Sequence, residues 1–132
     1  MIHCAGEINA WDYQKFVDAV RATGRKKLII AGVSTEICVA FVAPSAILDG
    51  YEVYAVIDAS GTWYKLVQEV AVAHMVQAVI IPITWVAVGV ELQGDWRNPT
   101  GQDLGAIMSE HLPFYSNLIG SFLAAKETEA LV

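Results

Sequence analysis

Cysteine is scarce in this sequence, where Cys4 and Cys38 are the only two among 132 residues. Two cysteines do not make the disulfide framework on which many small secreted domains depend. The first residues also lack the basic segment followed by an apolar segment that marks a signal peptide. We therefore expect a reducing compartment and predict a cytoplasmic protein.

Positive charge is also scarce, with 8 Lys and Arg residues against 14 Asp and Glu residues and a net charge of −6. Nucleic acid is excluded as a predicted partner, because phosphate backbones are bound by concentrated Lys and Arg. Residues 25–27 form one short basic run. We interpret it as a solvated turn, with phosphate binding as the weaker alternative, because it precedes a predicted strand.

Long apolar runs and metal-ligand patterns are missing as well. The most apolar window, residues 79–90, is too short to span a bilayer and contains Pro82 and Thr84. The three histidines have no metal-ligand spacing among themselves. We therefore predict no membrane partner, no metal and no cofactor.

Apolar residues are abundant, since 55% of the sequence is hydrophobic and 17% is charged. A small protein of this composition must bury both faces of its sheet or cover much of its surface with other subunits. The length fits one domain. We therefore predict a single domain over residues 1–132 and a homo-oligomer.

Strand-length apolar runs alternate with helix-length segments along the chain. Strands are predicted at residues 28–33, 51–57 and 79–83, and helices at about 10–23, 35–49, 63–77, 84–92, 104–111 and 116–125. This alternation favours right-handed crossovers. The predicted fold class is α/β, with a parallel sheet in a three-layer α/β/α arrangement.

Cys38 comes just after the first predicted strand, near the start of a helix. A helix N-terminus lowers thiol pKa values, and ligands bind at this edge of open α/β sheets. A reactive cysteine is therefore one interpretation, and an inert packing residue is the other. Glu36 and Asp58 are candidates to line a substrate site at the same edge. A helix-dipole role for Glu36 and a turn role for Asp58 explain them as well.

Five segments, GEINAWD, ATGRKKLIIAGVSTEICVAF, GYEVYAVIDASGTW, ELQGDWRN and EHLPFYSNL, carry a family resemblance from about Gly6 to Phe122. Together they resemble the isochorismatase-like cysteine hydrolases, and most closely an oligomeric bacterial branch whose substrate is poorly defined. GVSTEIC is the most specific segment, because it resembles the segment that holds the family nucleophile.

The resemblance implies a Rossmann-like fold with a six-stranded parallel sheet, of which three strands can be placed here. It also implies that a Cys38 thiolate attacks the carbonyl carbon of a small substrate, an amide or related compound. A cis peptide between Val33 and Ser34 would turn the N–H groups of Ser34 and Cys38 toward the developing oxyanion.

Two further catalytic groups of the family, an aspartate and a lysine, have no counterpart in the sequence. The aspartate belongs to a strand earlier than any present, and the lysine aligns at or near Cys4. We therefore expect an N-terminally incomplete domain with impaired catalysis. A non-catalytic oligomeric subunit and a thiol redox or ligand-capture protein remain as alternatives.

Overall fold

The computed structural model describes residues 2–3 and 6–129. Its elements are α1 (Gln14–Ala22), β1 (Lys27–Ile30), α2 (Ala40–Leu48), β2 (Glu52–Val56), α3 (Lys65–Gln77), β3 (Ile81–Ile83), α4 (Trp85–Gln93), α5 (Gly101–His111) and α6 (Pro113–Glu129). They form two compact units, one up to Trp85 and one from Val86 onward. The prediction of one domain over the whole chain stays a prediction.

The three strands form a parallel sheet in the order β1-β2-β3. Lys27 pairs with Glu52, and Ala55 pairs with Pro82. Pro82 lacks a backbone N–H, and β3 is an edge strand of the described sheet, which is where a strand proline is tolerated. The predicted parallel α/β fold is therefore confirmed.

The hydrophobic core of the first unit lies between the sheet and helices α2 and α3. Its fully buried members include Val53 and Ala55 of the sheet and Met75 of α3. Side chains on the opposite face of the sheet are more exposed. Ile29 of β1 and Ile81 of β3 are 51% and 40% exposed. One face of the sheet is thus packed, while the other keeps partly exposed apolar side chains.

The first strand is shorter than predicted, ending at Ile30 rather than at residue 33. Beyond it the backbone leaves the ladder and bonds to a different segment: the carbonyl oxygen of Gly32 accepts from Gly61 N–H at 3.1 Å. The apolar run predicted the strand correctly, but it carried no sign of where the pairing stops.

The segment before α1 also differs in detail from the prediction. Asn9 acts as an N-cap, and its side-chain oxygen accepts from Trp11 N–H at 3.0 Å. It caps a short 3-10 turn, Ala10–Asp12, and α1 begins only at Gln14. Trp11 packs edge-on against the Tyr51 ring, 5.7 Å away between centroids, which ties this turn to the start of β2.

The second unit contains three helices and a hydrogen-bonded loop. The loop spans residues 94–100, because α4 ends at Gln93 and α5 begins at Gly101. Thr100 Oγ1 donates to Gln93 Oε1 at 2.7 Å, and Asn98 Nδ2 donates to the Gln93 carbonyl at 2.9 Å. Among the residues that the structure describes, no helix combines the length and apolarity needed to cross a membrane.

Candidate functional site

The carboxyl ends of the parallel strands carry the residues that the sequence singled out. β1 leads to a single π-helical turn, Thr35–Val39, which runs directly into α2. β2 leads to a 3-10 turn, Ile57–Ala59, and then to Gly61. In open α/β sheets this edge is where ligands bind.

Cys38 lies in the π-helical turn and is exposed. The turn is wider than an α-helical one, since Val39 N–H bonds to the Ser34 carbonyl five residues back, at 3.2 Å. Gly32 packs directly against it: a Cβ added to Gly32 would lie 2.9 Å from Cys38 Cβ. Only glycine fits beside Cys38 without a shift of the chain. Single π turns of this kind are frequent at functional sites.

Thr35 joins the two strand-end loops. Its N–H and its Oγ1 both donate to the Gly61 carbonyl oxygen, each at 2.8 Å. The approach is close, because a Cβ on Gly61 would lie 2.2 Å from the Val33 carbonyl oxygen. The loop that follows β2 therefore holds the loop that carries Cys38 in place.

The peptide bond between Val33 and Ser34 is trans, as are all peptide bonds in the described part of the chain. The cis peptide implied by the family resemblance is therefore absent from this structure. Trans is the favoured form here, because Ser34 is not proline and a cis bond would cost about 3–4 kcal/mol. Ser34 Oγ is buried without a hydrogen-bond partner among the described residues. Oxyanion binding by the N–H groups of Ser34 and Cys38 stays a prediction.

Glu36 points to the loop after β2 and to a cleft beside α3. Its Oε1 accepts from Trp63 N–H at 3.2 Å. Desolvation by burial disfavours the charged carboxylate, but hydrogen bonds from the backbone N–H groups of Glu36 and Trp63 outweigh it. These bonds hold the pKa of Glu36 below its usual range. Glu36 is thus an anchored anion.

Two adjacent clefts, of about 410 and 330 Å³, share Glu36, Ala40 and His74. The larger is lined otherwise by apolar side chains of α3. Cys38 lines neither of these two clefts. A substrate-lining role for Glu36 stays a prediction, and Glu36 lines both clefts.

Asp58 makes a structural contact at the end of β2. Its Oδ1 accepts from the backbone N–H of Trp85, the first residue of α4, at 2.8 Å. A carboxylate in this place satisfies a helix N–H and favours the helix dipole. This contact is a structural role other than the predicted turn role, and substrate lining by Asp58 stays a prediction.

The residues that the sequence analysis missed are Thr35, Gly61, Gly32 and Ser60. Ser60 Oγ accepts from Gly32 N–H at 3.3 Å and donates to the Val56 carbonyl at 2.7 Å. Small and hydroxylated residues directly after two parallel strands were the available signal, because such loops must approach each other at the same sheet edge. Within residues 2–3 and 6–129, no cluster of three or more His, Cys, Asp or Glu side chains could hold a metal.

A parallel α/β unit with an exposed thiol at its strand ends is the class that the fold and site define. Comparison with known families narrows this class, since a sequence model of the isochorismatase domain matches residues 6–87. The chain belongs to the isochorismatase family.

Two relatives with solved structures are similar over most of the chain. The probable hydrolase YcaC of Escherichia coli strain K12 is 50% identical over 117 residues, which cover 89% of this chain and 56% of the relative. The structure of Pseudomonas aeruginosa YcaC with hexane-2,5-diol and covalent acrylamide is 52% identical, with a TM-score of 0.83, covering 89% of this chain and 57% of that one.

The solved structure of E. coli YcaC is that of an octameric hydrolase of unknown specificity. It is 48% identical with a TM-score of 0.86, and the match covers 94% of this chain and 60% of that one. The chain therefore spans between 56% and 60% of the length of these two relatives. Membership of a hydrolase family is confirmed, as is the predicted resemblance.

Proposed function

We propose that this chain carries the nucleophile of an isochorismatase-type hydrolase that cleaves small amides or related carbonyl compounds through Cys38. One observation carries the proposal: Cys38 is exposed on a π-helical turn at the carboxyl end of a parallel strand. The close packing against Gly32 and the two hydrogen bonds that Thr35 donates to the Gly61 carbonyl oxygen fix that turn. A fixed and exposed nucleophile is what covalent catalysis requires.

The proposed reaction has two steps. Cys38 Sγ forms a bond to the carbonyl carbon, and the carbonyl electron pair moves to oxygen, where the N–H groups of Ser34 and Cys38 are the proposed donors. The C–N bond then breaks, and the amine leaves with the proton that the thiol gave up. Water attacks the resulting thioester, which releases the carboxylic acid and restores the thiol.

Turnover by this chain is proposed to be slow. The family resemblance calls for an aspartate that moves the proton and for a neighbouring lysine, and the sequence offers no counterpart of either side chain. Without a positioned general base, a rate factor of about 10²–10⁴ is forfeited. We therefore expect the thioester on Cys38 to persist, because water hydrolyses it slowly.

The P. aeruginosa relative supports the proposed substrate class. Its structure holds covalent acrylamide, a molecule that combines an electrophilic carbon with a primary amide. We propose that this chain also accepts a small amide-bearing molecule and offers it the Cys38 nucleophile.

A non-catalytic or weakly active subunit of a homo-oligomer is the second candidate. It is favoured by large apolar side chains that the described structure leaves open, such as Leu48 at 88% and Phe114 at 82% exposure. The E. coli relative is an octamer. We propose that this chain also assembles with copies of itself, in the reducing cytoplasm, where Cys38 stays a thiol.

The test compares amide hydrolysis by this chain and by a form extended with any in-frame upstream sequence. Ammonia release from a panel of small primary amides is measured for both, with Cys38→Ala as the control in each background. The proposal expects Cys38-dependent release that is larger in the extended form. Release that Cys38→Ala leaves unchanged in both forms would overturn it.

A further inference from the structure

Half of the basic residues of this acidic protein are concentrated in one short stretch. Of 8 Lys and Arg residues, 4 lie within residues 21–27, namely Arg21, Arg25, Lys26 and Lys27, although the net charge of the chain is −6. Lys27 is already engaged, because its Nζ pairs with Glu52 at 3.3 Å. The other three line a common cavity.

The cavity has a volume of about 250 Å³ and lies between two turns. Residues 24–26 form the turn before β1, and residues 49–51 form the turn before β2. It is therefore at the amino ends of the strands, whereas Cys38 is at their carboxyl ends. The two sites lie at opposite ends of the strands, so a ligand bound in this cavity does not compete with a substrate that reacts with the thiol.

One cation of the cavity is held in place and two are available. Arg21 Nη2 pairs with Asp49 Oδ2 at 2.9 Å, and Trp11 Nε1 donates to the same oxygen at 3.0 Å. This leaves other N–H donors of the Arg21 guanidinium unused by the pair. Within residues 6–129, neither the Arg25 nor the Lys26 side chain has a hydrogen bond or an ion pair in the structure. Three cations thus face one carboxylate.

We propose that this cavity binds the phosphate group of a small molecule. An oxyanion with two charges matches the excess of cations, and guanidinium groups bind phosphate oxygens through paired, charge-assisted hydrogen bonds. The cavity is larger than a phosphate group. Tyr51 also lines the cavity, which leaves room beside the phosphate for the organic part of the ligand. The site goes beyond the proposed hydrolase activity and does not depend on it.

Calorimetric titration with inorganic phosphate, pyrophosphate and adenosine monophosphate tests the proposal at fixed low salt. The variant Arg25→Gln/Lys26→Gln removes both available cations. Its matched control, Lys65→Gln/Lys126→Gln, removes the same charge from α3 and α6. We expect saturable binding to the unmodified chain, a Kd raised roughly tenfold or more in the first variant, and a change of less than about twofold in the control.

Amide chemical shifts locate the bound ligand and separate the outcomes. Gly24 and Gly50 line the cavity, so their N–H signals are expected to move on titration with phosphate. No saturable binding to any probe, or an equal loss of affinity in both double variants, would overturn the site. Acetate that binds as tightly as phosphate would overturn its assignment to phosphate. A chain that lacks hydrolase activity but passes this test would leave the inference intact.

Discussion

Thr35 donates two hydrogen bonds to a single atom, the carbonyl oxygen of Gly61, from its N–H and its Oγ1, both at 2.8 Å. Thr35 is fully buried. The two residues are 26 positions apart, yet they join the loop that carries Cys38 to the loop after β2. The position of the thiol therefore depends on a contact that neither loop makes alone.

Replacement of Thr35 by Val tests this contact. Valine keeps the shape and the N–H bond but removes the hydroxyl donor, so one buried bond to the Gly61 carbonyl is lost. We expect the free energy of unfolding to fall by about 1–2 kcal/mol in urea denaturation. Thr128→Val is the matched control, since Thr128 Oγ1 bonds only to its own helix at the exposed Ala124 carbonyl. Equal stability of the two variants would contradict the proposed role.

Gly61→Ala tests the closeness of the two loops. The added Cβ would lie 2.2 Å from the Val33 carbonyl oxygen, so the backbone must move. Overpacking of this kind costs about 1–3 kcal/mol, and we expect a fall of that size in the free energy of unfolding. Gly120→Ala in α6 is the control, because no atom lies within 4 Å of its added Cβ. A gain in helix propensity of about 0.5–1 kcal/mol is expected there. If Gly61→Ala also stabilises the chain, the loops are not packed as described.

Some features of these loops were predictable from the sequence, and others were not. The strands were found because continuous apolar runs bounded by turn residues are a local signal, and this placed Cys38 and Asp58 at one sheet edge. The bond between Thr35 and Gly61 has no local signal, since periodicity says nothing about which loop residues meet. The π-helical turn around Cys38 was also missed, because its wider backbone is set by the packing against Gly32 and not by residue propensity.

The Asp49 carboxyl is expected to make the stability of the chain depend on pH. Hydrogen bonds from Trp11 and Arg21 hold the pKa of its carboxyl below the usual range. The folded state therefore favours the charged form, which contributes stability above the unfolded pKa of about 3.9 and loses it as the pH falls through the lower folded value. Thermal unfolding of Asp49→Asn and the unmodified chain should differ at pH 7 and converge below about pH 4.

The control for this measurement neutralises an exposed carboxylate elsewhere, Glu127→Gln near the end of α6. It carries the same change in net charge, so the general effect of charge on stability is subtracted. A difference between Asp49→Asn and the unmodified chain that stays constant from pH 7 to pH 3 would contradict the assignment.

Replacement of Val79 by glycine is expected to stabilise the chain. It has a φ of +64°, the left-handed region, and it is 76% exposed after the end of α3. A β-branched residue in this conformation is strained by about 1–2 kcal/mol, whereas glycine adopts it freely. We expect Val79→Gly to raise the free energy of unfolding by about 1 kcal/mol. Val79→Ala should gain less, because alanine keeps the Cβ that causes the strain. An alanine variant at least as stable as the glycine one would place the strain elsewhere.

The last prediction concerns the reactivity of Cys38 itself. A Cys4→Ser background leaves Cys38 as the one thiol, and intact-mass spectrometry then follows its alkylation by acrylamide. Gly32→Ala should slow this reaction roughly tenfold, because the new Cβ would lie 2.9 Å from Cys38 Cβ and must displace the π-helical turn. Gly120→Ala in the same background should leave the rate unchanged. Equal rates in the two alanine variants would mean that the close packing of Gly32 does not control the nucleophile. Reactivity that depends on Gly32, combined with an absence of amide turnover, would instead favour ligand capture over hydrolysis.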